Sequence, residues 1–88
     1  MSYRVLWTQA AEQELVDIWI SEPDQDAIPR AANSLDLSLE QSADTLGESR
    51  PGGRRVTFAP PLGINFEVNP QDHVARVLHV WRFQTPAT

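Results

Sequence analysis

A chain of 88 residues has room for one small domain around one hydrophobic core, and with no cysteine it has neither a disulfide framework nor a cysteine-based zinc site to staple it. Its residues are 41% hydrophobic and 22% charged, which excludes a disordered chain, and no apolar run approaches the roughly 20 residues of a membrane-spanning helix. The net charge of −5 is unevenly spread: residues 1–48 hold two arginines against ten carboxylates, a balance of −8, whereas residues 49–88 hold five arginines against two carboxylates, a balance of +3.

Tyr3-Arg4-Val5-Leu6-Trp7 alternates and is rich in β-formers, so it reads as a first strand. Thr8 offers a helix N-cap, and Ala11, Leu15, Ile18 and Trp19 follow at helical spacing until Ser21-Glu22-Pro23, where the proline disfavours helical geometry at the residue before it. A second helix opens near Asp24 or Asp26, with Pro29 tolerated in its first turn. Its apolar stripe runs Ile28, Ala32, Leu35, Leu39, Ala43 and Leu46, and Gly47 is a suitable left-handed stop. The period then changes to two. Arg50-Pro51-Gly52-Gly53 is a turn into a strand over 54–58, and Ala59-Pro60-Pro61 breaks that strand. Leu62, Ile64, Phe66 and Val68 alternate with Gly63, Asn65, Glu67 and Asn69 as the next strand. Asn69-Pro70-Gln71-Asp72 turns the chain into a last strand from Val74 to about Phe83. The order β-α-α-β-β-β predicts an α+β fold, a helical hairpin packed on a twisted antiparallel sheet. A single domain over residues 1–83 and a frayed tail at 84–88 are expected.

This order and several short stretches resemble the RelE/ParE superfamily of toxins from type II toxin–antitoxin modules, which includes proteins called plasmid stabilisation proteins. The resemblance begins with the strand and cap Tyr3–Thr8 and with Ala11, Leu15 and Ile18-Trp19, similar to the family's "A…L..I" helix. It continues through Leu46-Gly47-Glu48, the Gly-rich turn into Arg54-Arg55-Val56, and Ile64-Asn65-Phe66-Glu67-Val68, which is similar to "RI.YEV". It closes on Arg76-Val77-Leu78-His79-Val80-Trp81-Arg82. The resemblance implies a protein neutralised by a cognate antitoxin, and two modes of action. RelE-like members cleave mRNA on the ribosome; ParE-like members poison DNA gyrase without the catalytic set. Fold alone does not choose between them.

The residues bear on that choice. In-line cleavage by a 2′-hydroxyl needs a base, an acid and cations around the developing charge. Arg54 and Arg55 stand where RelE-like members carry basic residues, although two arginines after Gly-Gly also suit a solvated strand entrance. By alternation Arg55 and Thr57 share the open face while Val56 and Phe58 take the core. The arginine of the family's "RI.YEV" falls on Gly63, so that cation is missing. Glu67 reads either as a catalytic base or as half of a cross-strand ion pair, with Arg55 its suggested partner. On the last strand the candidates are His79 and Arg82, but three-residue spacing puts them on opposite faces of a regular strand. There His79 shares the more apolar face with Val77 and Trp81 and reads as a core or rim histidine, unless a bulge intervenes. Arg76 and Arg82 would then join Arg55 in a stripe that meets an acidic partner or target.

Trp7, Trp19 and Trp81 are expected in the core, with Trp81 or Trp19 alternatively anchoring a partner. No metal-ligand spacing is present, and no cofactor is expected. The opening Met1-Ser2-Tyr3-Arg4 has neither the basic start nor the apolar run of a signal peptide, so the cytoplasm is the expected compartment and no membrane partner is expected. The expected function is that of a toxin of ParE type, binding a target such as DNA gyrase through Arg54, Arg55, Arg76, Arg82 and Trp81. The enzymatic alternative is a ribosome-dependent mRNA endoribonuclease using His79, Arg82 and Glu67, and a further alternative is a non-toxic interaction module of the same fold.

Overall fold

The computed structural model describes residues 2–83; the tail expected at 84–88 lies outside the described residues. The chain forms β1 (Arg4–Trp7), α1 (Gln9–Ser21), α2 (Ala27–Ser42), β2 (Glu48–Arg50), β3 (Arg54–Ala59), β4 (Leu62–Asn69) and β5 (Val74–Arg82). The five strands make one sheet in the order β1-β5-β4-β3-β2. β2 to β5 are antiparallel neighbours, and β1 joins the far edge parallel to β5. The sheet is therefore mixed rather than wholly antiparallel. Both helices lie on one of its faces, and the other face is open. Among the described residues no helix is long and apolar enough to cross a membrane.

Local chemistry explains most boundaries. Thr8 is the N-cap of α1: its hydroxyl accepts the Ala11 N–H at 3.2 Å and donates to the Leu78 carbonyl at 3.1 Å, tying the helix start to β5. Glu22 closes the same helix ahead of Pro23. The second helix stops at Ser42, before the glycine expected to stop it. Gly47 instead passes under β3 at φ +71°, where a Cβ would stand 2.0 Å from the Val56 carbonyl oxygen, so only glycine fits. β2 is exposed and polar throughout, without apolar alternation to announce it, and is a strand only because β3 pairs with it.

The core lies between the helices and the inner sheet face. Ala11 of α1 and Ile28, Ala31, Leu35 and Leu39 of α2 pack with Leu62, Ile64, Phe66, Ala75, Val77 and Val80. Burying one such Leu or Ile contributes about 1.5–3 kcal/mol, so this cluster supplies most of the drive for folding in a chain without other staples. Trp7 packs against the cluster as expected, and its indole N–H donates to Asp36 Oδ1 at 2.7 Å, linking β1 to α2. Trp19 is not in the core: it is 42% exposed, on the outer side of α1 with Val16 and Ile20. A small sheet leaves α1 room to bury one narrow stripe, and Ala11, Leu15 and Ile18 fill it.

The Trp7–Asp36 bond yields a direct expectation. Trp7→Phe keeps the packing but removes the donor, and chemical denaturation should show a loss of about 1 kcal/mol. In the Asp36→Ala background, where the acceptor is gone, the same substitution should cost measurably less.

Candidate functional site on the open sheet face

The inner and outer faces are assigned by register. Leu62, Ile64 and Phe66 of β4 are fully buried, so Gly63, Asn65 and Glu67 point to the open face. β3 pairs Thr57 with Ile64 and Phe58 with Gly63, which commits Arg55, Thr57 and Ala59 to the helical side and Arg54, Val56 and Phe58 to the open side. This reverses the sequence expectation for β3. Thr57 is 9% exposed and Phe58 54% exposed, because the stronger apolar alternation of β4 decides the register and the weaker one must follow.

β5 carries a bulge. Phe66 pairs with Val77 and Asn65 with His79, leaving Leu78 as the extra residue. Ala75 and Val77 face the helices before the bulge, Val80 and Arg82 after it, and Arg76, His79 and Trp81 take the open face. His79 and Trp81 are thus not on the face of Ala75 and Val77, contrary to the regular-strand reading. The three-residue separation still puts His79 and Arg82 on opposite faces, as alternation requires.

Across the open face the side chains fall into three rows. The first crosses Arg50, Arg54, Glu67 and Arg76 and ends on Leu6; the second crosses Glu48, Val56, Asn65 and His79; the third crosses Phe58, Gly63 and Trp81. In the first row Glu67 pairs with Arg76 at 3.2 Å rather than with Arg55, and Arg50 reaches back to Glu48 at 2.9 Å. Among the described residues Arg54 makes no ion pair. A trough of about 630 Å³ lies at this end, floored by Leu6, Glu67 and Arg76 and walled by the Gly52-Gly53 and Asn69–Asp72 turns. In the second row His79 Nδ1 lies 3.3 Å from Glu14 Oε1 of α1, and the same oxygen accepts the Val80 N–H at 3.2 Å, capping the stretch of β5 edge that β1 is too short to cover. In the third row the Phe58 ring meets Trp81 and Phe83 edge-on, with centroids 6.1 and 5.3 Å apart. A Cβ on Gly63 would stand 2.7 Å from the Trp81 indole and 2.9 Å from the Phe58 ring. Gly63, where the resemblance implied an arginine, is therefore roofed by aromatic rings.

The expected stripe of Arg55, Arg76 and Arg82 does not form. Arg55 points to the helical side and donates to the Leu46 carbonyl at 2.8 Å and the Gly47 carbonyl at 3.2 Å, clamping the α2–β2 connection. Arg82 is ion-paired with Glu22, the residue that ends α1. The guanidinium hydrogen bond holds the Glu22 carboxyl below the ordinary glutamate value of 4.5, assisted by a backbone bond from Asp24 and opposed by partial burial. Of the sequence candidates, Arg54, Glu67, Arg76, His79 and Trp81 share the open face, and Arg55 and Arg82 are turned away from it. Sequence reasoning missed Glu14, Glu22 and the outward-facing Phe58. The one available signal was a glycine inside an alternating strand, which marks a close approach by another group.

Three comparisons bear on this architecture. No protein-family model matches the sequence, and no curated protein matches it either. Solved structures do. A chain of the RelBE2 toxin–antitoxin complex of Mycobacterium tuberculosis superposes with a TM-score of 0.75 at 14% identity, covering 94% of this chain and 100% of the other. The fold is that of the RelE/ParE toxins. A chain of the chromosomal ParDE system of P. aeruginosa matches with a TM-score of 0.72 at 18% identity over 94% and 98% of the two chains. One from the intact E. coli RelBE complex matches with a TM-score of 0.66 at 14% identity over 96% and 100%. RelE-type and ParE-type structures thus both share this RelE/ParE fold.

Two measurements test the site geometry. Glu22, its carboxyl group held low in the folded state, stabilises the protein above the unfolded glutamate value and loses that contribution as pH falls through the folded one. The stability difference between wild type and Glu22→Gln should accordingly be present at neutral pH and vanish in acid. Gly63→Ala should cost about 1–3 kcal/mol by overpacking, and a double-mutant cycle with Trp81→Ala should recover most of the loss.

Proposed function

We propose that the protein is the toxin component of a type II toxin–antitoxin, or plasmid stabilisation, module in the cytoplasm. It acts by binding a target such as DNA gyrase rather than by cutting RNA, and a cognate antitoxin neutralises it. The observation that carries this reading is the roofed position at Gly63. Cleavage of a phosphodiester draws on cations gathered where charge develops. Here Trp81 and Phe58 fill the space a cationic side chain would need, Arg55 and Arg82 are engaged on the helical side, and Arg76 is neutralised by Glu67. A face with so few uncommitted cations suits recognition of a protein better than transfer of a phosphate. The toxin–antitoxin complexes among the structural neighbours support the antitoxin partner. So does the apolar groove between the helices, about 300 Å³, lined by Leu15, Val16, Trp19, Ile28, Pro29 and Ala32, which matches the apolar face of an amphipathic helix.

One observation favours the endoribonuclease reading. His79 stands on the open face with its ring held at Nδ1 by Glu14, the arrangement in which a histidine exchanges protons through its other nitrogen. In that reading His79 and Glu67 would share acid–base work on the open face, and Arg82, expected as the cation, would have to leave Glu22 and the helical side to join them.

Two assays separate the readings. Purified protein at micromolar concentration should inhibit supercoiling by gyrase, and primer extension on mRNA from expressing cells should show no codon-positioned cuts. Cuts that disappear with a folded Arg82→Ala variant would overturn the binding reading, and so would the absence of any effect on gyrase.

A further inference from the structure

β2 is a free edge of the sheet: β3 pairs with one side of it, and among the described residues no strand pairs with the other. The ladder dictates which backbone groups that edge offers. The Val80 N–H turns away from β4 to reach Glu14, and successive residues of an antiparallel strand bond alternately to either side. Carried through the registers, Ile64 therefore bonds towards β3, Val56 bonds towards β2, and Ser49 is left with its N–H and C=O facing outward. Glu48 and Arg50, on either side of Ser49, project from the open face and pair with each other at 2.9 Å, with half or more of each side chain still exposed. Arg50 also stands directly opposite Arg54, a like-charge pair across the strands. Glu48 and Glu67 thus serve three arginines of that row, Arg50, Arg54 and Arg76.

We propose that β2 pairs with β2 of a second copy of this chain, antiparallel and about a twofold axis at Ser49. The order Glu48-Ser49-Arg50 is its own complement in that arrangement. Ser49 of each copy donates its N–H to the Ser49 carbonyl of the other, and Glu48 of each stands opposite Arg50 of the other. Those opposed positions are the non-hydrogen-bonded ones, where side chains approach most closely. The two existing ion pairs close into a ring of four alternating charges, and each Arg50–Arg54 pair gains a carboxylate on its outer side. Two residues out from the axis, Pro51 faces Gly47 of the other copy. Pro51 has no N–H to give, and the Gly47 carbonyl needs none, since Arg55 already donates to it at 3.2 Å. A slip of two residues either way would set Glu48 against Glu48 or Arg50 against Arg50, so charge fixes the register. Charge also selects the occupant. A wholly acidic or wholly basic strand on this edge meets a like charge at one of the two positions, whereas the chain's own β2 matches both. Three residues a side is far smaller than a standard interface, so the pairing is weak and reversible. The axis runs through the sheet, so the open faces of the two five-stranded sheets look the same way and form one surface.

This pairing goes beyond the toxin reading and is tested without gyrase or an antitoxin, so either can fail alone. Sedimentation of the purified protein should show a monomer–dimer equilibrium with a dissociation constant of about 100 µM, weakening as salt is raised. Glu48→Arg and Arg50→Glu, both at exposed positions and both shown by circular dichroism to keep the fold, should each be monomeric up to ~1 mM. Mixed together they should form a heterodimer, because each supplies the charges the other lacks. The double variant Glu48→Arg/Arg50→Glu should dimerise like the wild type. In the wild type, hydrogen exchange at the Ser49 amide should slow as concentration rises through the transition. A wild type that stays monomeric over the same range would overturn the proposal, as would a dimer that survives either single reversal or leaves the Ser49 exchange rate unchanged. A dimer abolished by Trp19→Ser but indifferent to the reversals would overturn it in favour of a contact through α1.

Discussion

The pairing of β4 with its two neighbours governs nearly everything on the functional face. Leu62, Ile64 and Phe66 are the most deeply buried run of the sheet, and a shift of one residue in their register would turn all three to solvent. Several kcal/mol therefore hold the register, far more than any preference expressed by β3 or β5. β3 surrenders Phe58 to the open side to comply, and β5 takes in an extra residue at Leu78 so that both Val77 and Val80 can face the helices. The open face is what remains after the inner face has been satisfied.

That order of priority shapes the electrostatics as well. The chain has seven basic residues, all arginine, and structure claims several of them. Arg55 satisfies carbonyls in the loop that ends the helical hairpin, Arg82 holds the linker through Glu22, and Arg50 and Arg76 are neutralised by their neighbours. The acidic helices are not simply a solvated back. Glu14 and Glu22 reach the final strand, one capping an edge N–H and the other binding an arginine. An even count of charges by halves of the chain misses this, because the two halves meet across β5.

The same constraint links fold to chemistry at Gly63. On one side it lies between the buried Leu62 and Ile64; on the other it supports the Trp81 and Phe58 rings. That position is the floor of an apolar platform. The protein has the RelE/ParE fold, and at this end its open face presents aromatic rings rather than charge.

The elements themselves were legible in the sequence because each rests on local chemistry. Thr8 caps, Pro23 stops, and the two-residue alternation of 62–68 permits one burial pattern only. Even the consequence of the three-residue spacing between His79 and Arg82 followed from strand geometry. Other features depended on partners distant in the chain. β2 has no apolar pattern and exists only by pairing. The faces of Val56 and Phe58 were misassigned because hydrophobicity within β3 points one way and its register with β4 the other. The bulge at Leu78 is a compromise between two strands and leaves no mark in either. The sequence alone determined the α+β class and the order of every element but β2, since these follow from residue type and near neighbours. Only the tertiary structure decided which arginines remain uncommitted and which rings face outward, since those depend on cross-strand register, and register is settled by the core as a whole.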